Sequence, residues 1–268
     1  VSLAAVSLHQ RQQKNENDFR TRNVLMAAFP AELVDETSFA GFYRNRGVAG
    51  LDSFFERFVE VWAVDLSTGE IVSSIDPAKY DQVKAARDPE RNGALNLMAE
   101  PHRDVAGIRS REDVGLVYLV RGDEPGAGFE TIVLPIRGYG LWSTLKGFLA
   151  IDVGSLAAGP SAATVRGVTY YEHSETPGLG GEVDNPAWKS KWHGKRIFDA
   201  EWAVKLKVTK APRSVHDVDA LTGATITSNG VSNMLEFWLG VDGYGLFLKK
   251  FIAQQVTVEA AGRGGDGG

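Results

Sequence analysis

Cysteine is absent from the 268 residues of this chain, and its absence removes several kinds of site at once. A chain without cysteine forms no disulfide, no cysteine-ligated zinc site and no cysteine-ligated iron–sulfur cluster. Because such chains occur both in oxidising compartments and in the cytosol, the absence of cysteine leaves the cellular location open.

An excess of positive charge is also absent. The chain has 29 basic and 34 acidic residues, giving a net charge of -5, and its basic residues form no long run. Since proteins bind nucleic acid largely through positive charge, this composition argues against nucleic acid as a partner.

The familiar catalytic and metal-binding motifs are missing as well. The sequence has no HExxH pair, no G-x-S-x-G turn and no P-loop, and its histidines lack metal-ligand spacing. The glycine-rich "GLGGEV" (178–183) lacks the G-x-G-x-x-G spacing of a dinucleotide-binding turn. We therefore predict no catalytic residue and no metal ligand in this chain.

A hydrophobic run long enough to cross a membrane is absent too. The apolar stretch "VSLAAVSL" (1–8) is followed by the strongly polar 9–23, whereas a bilayer requires about 20 apolar residues. From the residues alone two interpretations stay open: an ordinary frayed terminus, or the end of a membrane helix that begins upstream.

What is present is the composition of a globular protein, with 43% hydrophobic and 24% charged residues. Hydrophobic periodicity predicts helices over 9–29, 185–197 and most of 231–255. Alternation predicts two strands within 58–72, and others at 114–120, 129–136, 145–153, the start of 162–183 and 202–210. Because turns separate these strands more than helices do, we predict an α+β fold with a mixed, largely antiparallel sheet and flanking helices.

Two glycine-rich segments are candidate ligand-binding loops. The first, "RGYGLWSTLKG" (137–147), has Gly138 and Gly140 just before Leu141 and Trp142, and the second is "ETPGLGGE" (175–182). Glycine lets a ligand approach the main chain closely, so free N–H groups would bond a polar heterocycle while Trp142 or Leu179 covers its face. The other interpretation is that both segments are ordinary turns between strands.

The hydroxyl-rich stretch "DALTGATITSNGV" (219–231) leads into the last predicted helix. A hydroxyl there would cap the free N–H groups of the helix, and Gly223 would permit a tight entry. A phosphate ester on one threonine would suit the same position, because a helix N-terminus has a positive dipole end and unpaired amides. The residues alone leave both interpretations open, and the two do not exclude each other.

The stretch Asp219-Ala-Leu-Thr222-Gly-Ala-Thr225 resembles the flavinylation motif D-x-x-[ST]-G-A-[ST], whose last hydroxyl residue carries FMN through a phosphoester bond. Two more segments, "GYGLWSTLKGFLAID" (138–152) and "GVTYYEHSETPGLGGEV" (167–183), resemble the same family in the same order. That family is the C subunit of the sodium-translocating NADH:quinone reductase, which shares its FMN-binding domain with the G subunit of Rnf-type complexes. The resemblance covers roughly residues 100–250.

The resemblance implies that Thr225 bears FMN and that a separate flavin transferase, using magnesium, recognises Asp219, Thr222, Gly223 and Ala224. It also implies a flavin pocket, whose members would be Gly140, Leu141, Trp142, Ser143, Thr144, Glu172, Thr176, Gly178, Leu179, Gly180, Thr222, Gly223 and Ala224. We add Lys207 on charge alone, as a strand cation that would approach the phosphate or the ring. For Lys207 a solvated strand face is the other interpretation.

The function that the resemblance implies is electron transfer within a membrane complex that couples NADH oxidation and quinone reduction to sodium export. The chain would be one component of this translocase and would contact the other subunits. Residues 1–30 would be the end of a single membrane helix and a connecting helix, 31–258 the FMN-binding domain, and 259–268 a flexible tail. The domain is expected on the periplasmic side of a bacterial inner membrane.

Two alternatives stay open from the sequence. One is the G subunit of an Rnf-type complex, with the same chemistry and different partners. The other is a membrane-tethered binding domain that carries no flavin and keeps the hydroxyl motif only as the start of a helix.

Overall fold

A computed structural model describes residues 3–124 and 126–263 of the protein, and of residues 3–14, 16 and 255–263 it describes the backbone alone. The helices are α1 (Leu3–Ala28), α2 (Phe39–Asn45), α3 (Leu51–Phe58), α4 (Gln82–Ala85), α5 (Val153–Ala157), α6 (Pro186–Lys189), α7 (Thr225–Leu239) and α8 (Gly245–Arg263). The strands are β1 (Val59–Asp65), β2 (Val114–Arg121), β3 (Phe129–Tyr139), β4 (Thr144–Asp152), β5 (Val165–Glu172), β6 (Lys207–Thr209) and β7 (Asp217–Asp219).

The main sheet has the strand order β1-β2-β3-β4-β5, and every neighbouring pair in it is antiparallel. A second, two-stranded sheet pairs β6 with β7 in parallel. Short turns join β2, β3 and β4, as expected for strands separated by glycine-containing segments. The prediction of an α+β fold with a mixed, largely antiparallel sheet is confirmed.

Both faces of the main sheet are covered, so its central strands are apolar on successive residues. In β3, Ile132 and Leu134 belong to the core beneath α7 and α8, whereas Val133 between them belongs to the core beneath α1. Adjacent side chains of a strand point to opposite faces, so a strand buried on both sides needs a continuous apolar run. The "TIVLPI" run of β3 meets this requirement.

Helix α7 packs against β3 on one face of the sheet, and its N-terminal half belongs to the hydroxyl-rich 219–231 stretch. Its residues Val231, Met234, Leu235 and Trp238 are fully buried, with the spacing of one helix face. The indole N–H of Trp238 donates to the carbonyl oxygen of Arg137 in β3 over 2.6 Å. The C-terminal end of α7 is therefore attached to the sheet by a directional bond as well as by packing.

A buried polar cluster lies near that end of α7. Glu112, whose exposed fraction is 0%, accepts from both terminal nitrogens of Arg137 and from the side-chain amide of Gln82. The same Gln82 amide donates to the hydroxyl of Tyr244 over 3.1 Å. We call these four residues the Glu112 cluster.

Several predicted elements need correction. The second strand of 58–72 is reduced to a single bridge between Ile71 and Val64, because the chain leaves the sheet directly after it. The strand predicted at 202–210 is limited to β6: Val204 forms only an isolated bridge with Phe198, and Trp202 has φ 67°, outside the extended region. Strand β7 and helices α2 and α3 were not predicted.

The last predicted helix is in fact two. Helix α7 ends at Leu239 and α8 begins at Gly245, and a side chain at Gly243 would collide with the backbone of Trp238. The predicted tail (259–268) begins within α8, and residues 264–268 lie outside the described residues. Among the described residues, helices that are both long and apolar enough to cross a bilayer are not found.

Candidate functional site

Thr225 is the first residue of α7, and it is exposed. The residue before it, Ala224, is the N-cap, and no side chain caps the helix there. The hydroxyl of Ser228 instead accepts from the backbone N–H of Leu221 over 3.1 Å. The prediction that a hydroxyl of this stretch caps the helix is therefore wrong. The N-terminus of α7 is the positive end of the helix dipole, and no side-chain oxygen caps it.

The turn before Thr225 depends on Gly223. Its φ is 73°, in the left-handed region that favours glycine, and an added Cβ would lie 2.9 Å from Cδ2 of Leu179. A larger residue would be strained and would press against the loop that contains Leu179. The motif therefore packs closely on the 175–182 loop, as the sequence resemblance implies.

Glu175 is the residue on which the three motif-bearing segments meet. Its exposed fraction is 5%, and its carboxylate accepts the hydroxyl of Thr227, in the first turn of α7, over 2.7 Å. It also accepts backbone N–H groups from the loop between β3 and β4, at 3.1 Å from Leu141, 2.9 Å from Trp142 and 3.3 Å from Ser143. We call these residues the Glu175 cluster.

The Glu175 carboxylate is held in its charged form by these donors. Burial raises its pKa, but the Thr227 hydroxyl and the three backbone amides together lower it more, so the pKa lies below its usual 4.5. Neutral hydrogen-bond donors, rather than a cationic side chain, produce this shift. The cluster therefore contains a buried negative charge.

The glycines of the two loops are explained by this carboxylate. An added Cβ at Gly140 would lie 2.6 Å from Oε1 of Glu175, and one at Gly180 would lie 2.6 Å from Oγ1 of Thr227. The prediction that N–H groups of the 137–147 segment are free for a ligand is wrong for Leu141, Trp142 and Ser143, because Glu175 accepts all three.

Because Glu175 accepts the amides of Leu141, Trp142 and Ser143, exposed apolar side chains are what the two loops offer to a ligand. Trp142 is 65% exposed, and Leu179 and Ile226 are also exposed, although all three are large and apolar. They come from the three segments that meet at the Glu175 cluster, and Ile226 directly follows Thr225. We call these three side chains the apolar rim, since exposed large apolar side chains often mark a binding surface.

Other predicted site residues have partners outside the Glu175 cluster. Glu172 forms an ion pair of 2.6 Å with Lys146, and Nζ of Lys207 lies 3.9 Å from Oδ1 of Asp217. The carbonyl oxygen of Thr176 accepts backbone N–H groups from Leu179 and Gly181, closing the loop that begins after Glu175. Gly178 has φ 75° in the same loop, Thr222 is exposed, and Thr144 pairs with Tyr139 at the start of β4.

Asp219, the first residue of the motif, ends β7 and has two partners. The indole N–H of Trp188 donates to its carbonyl oxygen over 2.7 Å, and Nζ of Lys191 lies 3.0 Å from its Oδ2. Both charged side chains are about half exposed.

Sequence reasoning missed Glu175, Thr227 and Lys191. Glu175 had one usable signal: it is an acid between the end of a predicted strand and a glycine-rich turn, where a carboxylate can accept several backbone amides. Thr227 and Lys191 had none, because only the fold brings them to Glu175 and Asp219. His173 lies beside the cluster, where its Nδ1 accepts the N–H of Glu175 and its Nε2 lies 2.7 Å from Oδ2 of Asp184.

Comparison with known proteins gives consistent results. The model of the FMN-binding domain family matches residues 140–240, a span that includes the whole Glu175 cluster and Thr225. The C subunit of the Na⁺-translocating NADH-quinone reductase from Yersinia pestis is 42% identical over 256 residues, which is 93% of this chain and 86% of that protein. Its counterpart from Pseudomonas aeruginosa is 40% identical, over 92% of this chain and 88% of that protein.

Solved structures agree with the sequence relatives. The crystal structure of Shewanella oneidensis NqrC aligns with a TM-score of 0.69 at 32% identity, over 87% of this chain and 96% of that chain. The C subunit of the Na⁺-translocating NADH-quinone reductase from Parabacteroides distasonis aligns with a TM-score of 0.59 at 25% identity, over 92% of this chain and 98% of that chain.

Proposed function

The chain belongs to the family of C subunits of the Na⁺-translocating NADH-quinone reductases, and from this premise we propose that it carries FMN attached through the phosphate to Thr225. It is a subunit of that enzyme with an FMN-binding domain, which implies electron transfer in the complex. The observation that carries the proposed linkage is the exposed Thr225 at the start of α7, a helix without a side-chain cap, next to the apolar rim.

The residues present fit such a group at both of its ends. A phosphate at Thr225 would lie where the dipole of α7 is positive and where no side-chain oxygen already occupies the cap. The isoalloxazine ring is aromatic and flat, and the exposed apolar rim would lose contact with water when covered by it. Bound FMN supplies one-electron chemistry that no amino-acid side chain of this site can perform.

The protein's own part is binding and positioning. Thr225 supplies the oxygen for the phosphoester, and Gly223 keeps the approach to that oxygen open because it has no side chain. Trp142, Leu179 and Ile226 would hold the ring, and the Glu175 cluster fixes the two loops that carry Trp142 and Leu179. No proton transfer by an acid or base is required for this role.

The remaining parts of the proposal concern partners and location. A flavin transferase would attach FMN by recognising Asp219, Thr222, Gly223 and Ala224, of which Thr222 and Gly223 are exposed. A single membrane helix would anchor the chain, with the domain on the periplasmic side of the inner membrane. The family relationship supports this arrangement.

The test of the linkage is the mass of the peptide that contains Thr225, after co-expression of the full chain with a flavin transferase. We expect the added mass of an FMN phosphoester on this peptide and in-gel flavin fluorescence of the intact chain. Thr225→Ala should abolish both, whereas Thr225→Ser, which keeps a hydroxyl and the motif, should retain them. Covalent flavin on Thr225→Ala, or none on the wild type, would refute the assignment.

A further inference from the structure

The Glu175 carboxylate has more hydrogen-bond donors than a surface loop needs. Three successive backbone N–H groups and one hydroxyl point at it, and it is almost fully buried. The donors come from two segments far apart in the sequence, the loop between β3 and β4 and the first turn of α7. A single side chain therefore joins the loop that carries Trp142 to the helix that carries Thr225.

Two glycines pack closely against this carboxylate. The Cα atoms of Gly140 and Gly180 touch the cluster so closely that an added Cβ at either would lie 2.6 Å to 2.7 Å from an oxygen of Glu175. On its other side, the hydroxyl of Ser143 accepts the N–H of Ser174 over 2.7 Å, and the N–H of Glu175 itself donates to Nδ1 of His173. The carboxylate is thus enclosed between the loop that carries Trp142 and the loop that carries Leu179.

We propose that Glu175 is the positioning residue of this site: its carboxylate folds the Leu141–Ser143 loop onto the first turn of α7 before flavin is attached, and its charge lowers the reduction potential of the attached flavin. The second half rests on the proposed function, namely FMN at Thr225. The first half concerns this chain alone. A buried charge without a cationic partner acts on its surroundings with little screening, and it disfavours the addition of an electron nearby.

The first experiment uses the chain without flavin. Amide hydrogen exchange of Leu141, Trp142 and Ser143 is compared in the wild type, Glu175→Gln and Glu182→Gln, an acid in the same loop whose carboxylate accepts from Asn185. Glu175→Gln should accelerate exchange of these three amides by about tenfold, because a hydrogen bond to a charged acceptor is lost. Wild-type protection of these amides in Glu175→Gln would overturn the positioning role.

The second experiment uses the chain after co-expression with the transferase. We expect the midpoint potential of the flavin to be more positive in Glu175→Gln than in the wild type and unchanged in Glu182→Gln. A merely structural effect would lower flavin loading without moving the potential of the flavin that is attached. An unchanged or more negative potential in Glu175→Gln would overturn the electrostatic role.

A further variant keeps the positioning role testable if Glu175→Gln fails to fold. Thr227→Val keeps the shape of a side chain whose hydroxyl donates to Glu175, and it should also accelerate amide exchange at 141–143. In the double variant with Glu175→Gln the effects should be less than multiplicative, since both changes break the same bond. If wild-type protein gains no FMN, the proposed function fails, while the exchange result still decides the positioning role.

Discussion

Three carboxylates, Glu112, Glu175 and Asp217, are almost fully buried in the part of the chain that the structure describes, and the first two are held by different kinds of partner. Glu112 is bound by both terminal nitrogens of Arg137 and by the amide of Gln82, so a cation neutralises it. Glu175 is bound by three backbone N–H groups and one hydroxyl, all of them neutral. The first carboxylate lies near the C-terminal end of α7, and the second lies at its N-terminal end.

The two kinds of partner indicate two different roles for the carboxylates. A carboxylate paired with arginine has little field outside the pair, and its loss exposes an unpaired buried cation. A carboxylate held by neutral donors keeps its net negative charge, which acts on charged or polar groups nearby. We therefore assign Glu112 to stability and Glu175 to the flavin site, and the following substitutions test that division.

The largest effect on stability is expected at Glu112. Glu112→Ala leaves the guanidinium of Arg137 buried without its partner, and we expect a loss of about 3–5 kcal/mol in the free energy of unfolding, measured in urea. The matched control is Glu36→Ala, which breaks an exposed ion pair with Arg22 and should cost less than about 1 kcal/mol. Equal losses in the two variants would contradict the assignment of Glu112.

The next effect compares two glycines, one beside each carboxylate. A Cβ at Gly180 would press on the Glu175 cluster, and one at Gly115 would lie 2.7 Å from the hydroxyl of Tyr244 in the Glu112 cluster. Gly180→Ala and Gly115→Ala should each lower the free energy of unfolding by about 1–3 kcal/mol through overpacking. Only Gly180→Ala should also lower FMN loading, measured by mass. Equal loading in the two variants would contradict the assignment of Glu175 to the flavin site.

A smaller effect is expected in acid. Because the pKa of Glu175 is lowered in the folded protein, its charged form stabilises the fold above about pH 4.5, and this contribution is lost as the pH falls through the lower folded-state value. The stability difference between wild type and Glu175→Gln, measured in urea from pH 7 downwards, should therefore be constant at first and shrink below pH 4.5. A difference that grows in acid would contradict a lowered pKa of Glu175. The neighbouring His173 is present in both proteins, so the comparison does not remove it.

The smallest effect is expected at the surface pair near the motif. Lys191→Ala removes the ion pair with Asp219, whose side chains are both about half exposed, and should change the free energy of unfolding by at most about 1 kcal/mol. A loss above about 2 kcal/mol in a urea titration would mean that this pair supports the fold in the way that Glu112 does.

Much of the fold could be predicted because its signals are local. Alternation and apolar runs placed the strands at 114–120, 129–136 and 145–153, and the glycines between them indicated turns. The parallel pairing of β6 and β7 could not be predicted, since three-residue strands have too few residues for a period. The division into α7 and α8 also escaped, because both halves are apolar and the break depends on a close approach to Trp238.

The sequence predicted which segments form the candidate site, but not which of their atoms are hydrogen-bonded to one another. The three motif-bearing segments were named from their residues, yet which atoms bond depends on loops that converge only in the fold. Free amides were expected in the 137–147 segment, whereas in the structure those of Leu141, Trp142 and Ser143 donate to Glu175. A carboxylate 32 residues away from Ser143 leaves no periodic trace in the sequence.

The attachment of α7 at both of its ends has a consequence for motion. Thr227 bonds to Glu175 near one end, and Trp238 bonds to the backbone of Arg137 near the other. A slide of the helix by one residue, about 1.5 Å along its axis, would break both bonds at once. The backbone of Thr225, two residues from the Glu175 contact, is therefore fixed relative to the sheet, and its hydroxyl oxygen moves chiefly by rotation of its own side chain.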